Sequence, residues 1–149
     1  MKKFLASLVA VASVLSIAPA AQAASLTPTF DVVINLTSAC EITTAPTNVI
    51  FNYTSFAAAA ASSSGGGFDV KCTNTLPYTL ALDSGGLTDD ATNLAYTLTL
   101  SSTTATGSGS DQSYTITGSM AAGQAGTCAT STCTNAAATN KTRTLTVAY

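Results

Sequence analysis

Phe68-Asp69-Val70-Lys71-Cys72-Thr73, followed after a short break by Pro77-Tyr78-Thr79-Leu80-Ala81-Leu82, decides the fold of this chain. In the first stretch Phe68, Val70 and Cys72 share one face, with Asp69, Lys71 and Thr73 on the other. In the second, Tyr78, Leu80 and Leu82 alternate with Thr79 and Ala81. Pro77 stands at the strand start, where its missing N–H costs least. A period of two marks a strand with one buried face. The phase turns Cys72 inward, as a disulfide crossing the core requires.

The same period recurs on both sides. Val49-Ile50-Phe51-Asn52-Tyr53 reads as a strand. Leu94, Tyr96, Leu98 and Leu100 alternate with Ala95, Thr97 and Thr99, and Tyr114 and Ile116 with Thr115 and Thr117. Leu145, Val147 and Tyr149 close the series. Clusters of Gly, Ser, Asn, Asp and Pro separate these runs. Ala57 to Ala61 has a helical composition but no apolar face, and it runs into Ser62 to Gly67, so it reads as a loop. Ser101 to Ser110 reads as a long hairpin loop. Short strands without helices predict one all-β domain, an antiparallel β-sandwich of immunoglobulin-like type, although the chain has no Trp for its core.

Further outward, both ends carry strand patterns. Thr29-Phe30-Asp31-Val32-Val33-Ile34-Asn35-Leu36 sets Phe30, Val32, Ile34 and Leu36 on one face, and Thr142 to Tyr149 alternates up to the last residue. A strand buries one face only when it pairs and packs. Folding the first strand back would demand a very tight turn, since only Thr37-Ser38-Ala39 separate Leu36 from Cys40. The expectation is strand exchange between subunits, with residues 29–36 as an N-terminal donor strand. Leu145, Val147 and Tyr149 then border the acceptor groove.

Met1 to Ala23 has the pattern of a secretory signal: Lys2 and Lys3, an apolar stretch from Phe4 to Ile17, and an A-x-A site at Ala21-Gln22-Ala23. The apolar stretch is shorter than the roughly 20 residues of a membrane span. The expected organisation is a signal over 1–23, donor strand and linker over 24–39, and the sandwich over 40–149. Export makes the four cysteines disulfides rather than metal ligands. Three pairings are possible; Cys128 and Cys133 are close enough to form a local loop, which leaves Cys40 with Cys72.

Beyond the signal only Lys71, Lys141 and Arg143 are basic, against seven acidic residues, too few cations for a nucleic-acid face. Charged residues make up 8% of the chain, where about a quarter is usual. A surface of Thr, Ser, Asn, Gly and Ala suits a polymer lying against its own copies. With no histidine there is no Ser-His-Asp triad, and Lys71 and Lys141 read as solvent-facing strand positions rather than catalytic bases. The chain is therefore read as a non-enzyme without cofactor or metal. Asp83, Asp89 and Asp90 read as acidic caps of a glycine turn rather than as a calcium site. Gly65-Gly66-Gly67 lacks the lysine of a phosphate loop.

In this order the motifs resemble the spore coat protein U domain family, subunits of archaic (Csu-type) chaperone–usher pili of Gram-negative bacteria. The resemblance rests on Phe30-Asp31-Val32 leading to Ser38-Ala39-Cys40-Glu41-Ile42, on Val49 to Tyr53, and on Phe68 to Thr73 with its V-x-C-T motif. Pro77 to Gly86 and the closing Leu145-Thr146-Val147-Ala148-Tyr149 complete it. The family's Trp-containing hairpin is missing, and Cys128 with Cys133 is an addition. The resemblance implies an incomplete sandwich whose groove is filled first by a periplasmic chaperone and then, at the outer-membrane usher, by the next subunit's N-terminal strand. It implies a pilus on the cell surface that supports adhesion and biofilm formation, with basic chaperone residues holding the Tyr149 carboxylate. The alternative from the residues is a self-contained secreted sandwich that coats a surface or binds carbohydrate.

Overall fold

The computed structural model describes residues 24–149; the signal expected over 1–23 lies outside them. The chain divides into two units, Met1–Asn35 and Leu36–Tyr149. In the first, the described residues 24–35 are exposed and form no strand. The strand expected over 29–36 is thus not formed. Phe30, Val32, Ile34 and Leu36 are 86, 75, 83 and 79% exposed. A strand exists through its ladder to a neighbour, and side-chain alternation alone does not supply one.

The second unit is all-β among the described residues. Its strands are β1 (Cys40–Thr44), β2 (Ala61–Ser62), β3 (Gly67–Cys72), β4 (Pro77–Leu82), β5 (Gly86–Thr88), β6 (Ala95–Leu100), β7 (Thr104–Thr106), β8 (Asp111–Met120) and β9 (Leu145–Ala148). They form two antiparallel sheets. One has the order β1-β3-β8-β6-β5, with β2 also on β8; the other is β7-β4-β9. Phe68, Val70 and Cys72 of β3, Leu98 of β6 and Ile116 of β8 meet Tyr78 and Leu80 of β4 in one core. The alternation read along 68–82 is therefore the alternation of burial.

β8 is the spine. Its first half, Asp111 to Thr115, pairs with β3 and its second half, Ile116 to Ser119, with β6. At about 3.3 Å per residue its ten residues span about 33 Å, so its ends mark the two ends of the unit. The Asp111 end holds Cys40, Cys72 and the bond from the Gly109 N–H to the Cys72 carbonyl (3.1 Å). The Met120 end holds β2, the start of β6 and the turn at Phe56. Gly66 lets β8 lie close: its φ is +86°, and a Cβ there would stand 2.1 Å from the Ile116 carbonyl oxygen.

Several expectations are corrected. Cys72 is buried and bonded to Cys40, but the disulfide does not cross the core; it staples directly opposed residues of neighbouring strands β1 and β3. Residues 49–53 make no strand, only an isolated bridge between Ile50 and Ser64. The stretch 101–110 is more than a loop: β7 within it crosses to pair with β4 in the other sheet. Lys141 lies outside any strand. Cys128 and Cys133 close their local loop as expected.

Candidate strand-acceptor groove

β9 is the last strand of its sheet, and only β4 pairs with it among the described residues. The Asp83 N–H donates to the Thr144 carbonyl (3.0 Å), which sets the phase of this ladder. Bonding alternates along an antiparallel pair, so Thr144, Thr146 and Ala148 turn their backbone groups to β4. Leu145 and Val147 turn theirs to the outer edge, while their half-buried side chains pack against the core.

A second stretch borders the same space. Ile50 exchanges both backbone hydrogen bonds with Ser64 (2.8 and 2.9 Å), and Val49 and Phe51 flank it. Their side chains point inward and pack against the core, whereas Ile50 is exposed. Phe51 rests over Gly118, where a Cβ would come within 2.3 Å of its Cζ, and its ring lies 5.8 Å from that of Tyr96.

Between β9 and this stretch lies a cavity of about 510 Å³. One part of its lining is apolar: Val49, Phe51, Leu82, Tyr96, Leu98, Ile116 and Leu145. The other part is polar, with Asn48, Asn135, Lys141 and Arg143. Arg143 stands 3.7 Å from the Asp83 carboxylate, and its Nη2 donates to the Asn140 carbonyl (2.8 Å). Among the described residues its buried Nε finds no acceptor. Burial pushes the Tyr96 phenol above its ordinary pKa; Arg143 opposes the shift, and Asp89 and Asp83 reinforce it. The apolar wall is thus neutral around and above pH 7.

Of the residues expected to border the groove, Leu145 lines this cavity. Val147 packs beside the core, and exposed Tyr149 borders a separate shallow hollow with Pro77 and Thr106. The facing wall, Val49 and Phe51, and the basic end, Lys141 and Arg143, were not recognised as groove. The alternation of Val49 and Phe51 was the available signal for the wall. The three carboxylates of the glycine turn take separate partners: Asp83 faces Arg143, Asp90 accepts from Thr139, and Asp89 accepts from Thr92 and Asn135. Among the described residues no three His, Cys, Asp or Glu side chains gather as metal ligands.

Comparison of the chain with family models, with characterised proteins and with solved structures finds no match.

Proposed function

We propose that this chain is a structural subunit of a surface fibre built by strand insertion, in which residues 29–36 of one copy fill the groove of the next. The carrying observation is the unpaired outer edge of β9 beside a 510 Å³ cavity whose apolar wall includes Val49, Phe51 and Leu145. A strand laid there bonds to the edge of β9 and completes the immunoglobulin-like sandwich. The exposed Phe30, Val32, Ile34 and Leu36 supply the period the groove needs. Burying four such side chains stabilises the joint by roughly 6–12 kcal/mol, at about 1.5–3 kcal/mol each. Every ladder among the described residues is antiparallel, and insertion antiparallel to β9 keeps that pattern. Phe30 then lies opposite Tyr149, Val32 opposite Val147, Ile34 opposite Leu145 and Leu36 opposite Arg143, the register that turns all four side chains to the core face.

The resemblance to spore coat U pilins supplies the setting: a periplasmic chaperone that occupies the groove first, an outer-membrane usher, and a pilus at the cell surface serving adhesion and biofilm formation. Ile34→Asp tests the reading. Loss of one buried side chain, about 1.5–3 kcal/mol, weakens insertion on the order of 10- to 100-fold. SDS-resistant oligomers of the full chain should disappear from unheated gels while the circular dichroism of the sandwich is unchanged. Oligomers as abundant as those of the unsubstituted chain would overturn the proposal.

A further inference from the structure

Phe56 is 73% exposed and holds its φ at 61°, a left-handed backbone that a bulky residue rarely adopts. Two bonds keep it there: its N–H donates to the Gln124 carbonyl (2.8 Å), and the Gly123 N–H donates to the Ala57 carbonyl (2.9 Å). The Ala57 N–H also closes the turn onto the Thr54 carbonyl (3.0 Å), and the turn presents the phenyl ring to water. The ring stands at the Met120 end of β8.

A shallow pocket of about 410 Å³ lies at the other end, walled by Ala39, the Cys40–Cys72 pair, Glu41, Lys71, Thr73 and Gly109. The disulfide offers a ring polarizable sulfur, and Lys71, whose ammonium pairs with Glu41 at 3.6 Å, offers its aliphatic stem.

Antiparallel insertion brings these two ends together. The start of β9 shares the Met120 end with Phe56, since Asn140 donates to the Thr88 carbonyl and Thr88 pairs with Ala95. Ala95 in turn donates to Gln124, whose carbonyl holds Phe56. The inserted segment's Leu36 arrives there, and three residues, Thr37-Ser38-Ala39, lead to its own Cys40. That path reaches at most about 14 Å. We infer that Phe56 of the accepting copy seats in the Ala39–Gly109 pocket of the donating copy, a second contact that rests on the insertion reading. Two different patches meeting head to tail can repeat from copy to copy, and they build a filament when the rotation between copies does not close a ring.

The test places p-benzoylphenylalanine at position 56 of the full chain, irradiates its oligomers and maps the cross-linked peptides. The expected attachment is to residues 39–41, 71–73 or 109 of a second copy, and Ala39→Trp, which fills the pocket, should abolish it while SDS-resistant oligomers persist. Oligomers that cross-link elsewhere, or not at all, overturn this contact and leave strand insertion standing. Absence of SDS-resistant oligomers overturns insertion and this contact with it.

Discussion

Asp89 is buried in the turn between β5 and β6 and accepts from the Ala91 and Thr92 N–H groups, the Thr92 hydroxyl and the Asn135 amide. Burial works against its ionisation, but these donors outweigh it and hold the carboxyl below its ordinary pKa. A carboxylate depressed in the folded state stabilises above its unfolded pKa, about 3.9, and that contribution is lost as pH falls through the folded value. Asp89→Asn should therefore cost about 1–3 kcal/mol at pH 7 and shrink the loss of stability below about pH 4. Urea midpoints at pH 7 and pH 3 check both. Gly118 poses a different question, because the Phe51 ring occupies the space a side chain would take. Gly118→Val should push Phe51 into the cavity, destabilise by about 1–3 kcal/mol and abolish binding of a 29–36 peptide measured by calorimetry.

At the scale of elements, β3, β4, β6, β8 and β9 were legible because each sets alternate apolar side chains against the core. β1, β2, β5 and β7 were not: their residues are mostly exposed, and ladder bonds rather than packing hold them. The misread strand, 49–53, is instructive. A period of two reports a face suited to burial, not a neighbouring backbone to bond. Leu145 was found from that period, whereas Arg143 and Lys141 reach the groove through a stretch with no strand, for which alternation offers no guide. The two disulfides should differ in weight. Cys40 and Cys72 lie 32 residues apart and Cys128 and Cys133 only five. In the chain-entropy picture the longer loop stabilises by about 3–4 kcal/mol and the shorter by about 2. Paired Cys→Ser variants, unfolded in urea, should rank in that order.

For the whole molecule, a surface with so few charges and one open groove predicts that a second copy of its own segment, supplied in cis, is enough to seal it. Residues 30–36 fused after Tyr149 through an Asn-Gly turn would run back antiparallel to β9 with Val32 opposite Val147 and Ile34 opposite Leu145. Linkage makes this insertion intramolecular. The fused chain should sediment as a monomer, form no SDS-resistant oligomers and unfold at a higher temperature; a chain that still polymerises would contradict the groove's assignment.

The staple between opposed strands also sets how the molecule bears tension. A pull on residues 24–39 enters at Cys40, the first residue of β1. Without a covalent tie it would peel β1 from its neighbour one bond at a time. The Cys40–Cys72 bond instead delivers the load at once to β3, which lies along β8 in the middle of the larger sheet. A ladder strained lengthwise resists through many bonds together, so the weakest point under traction moves out of the folded body and into whatever joint holds the segment.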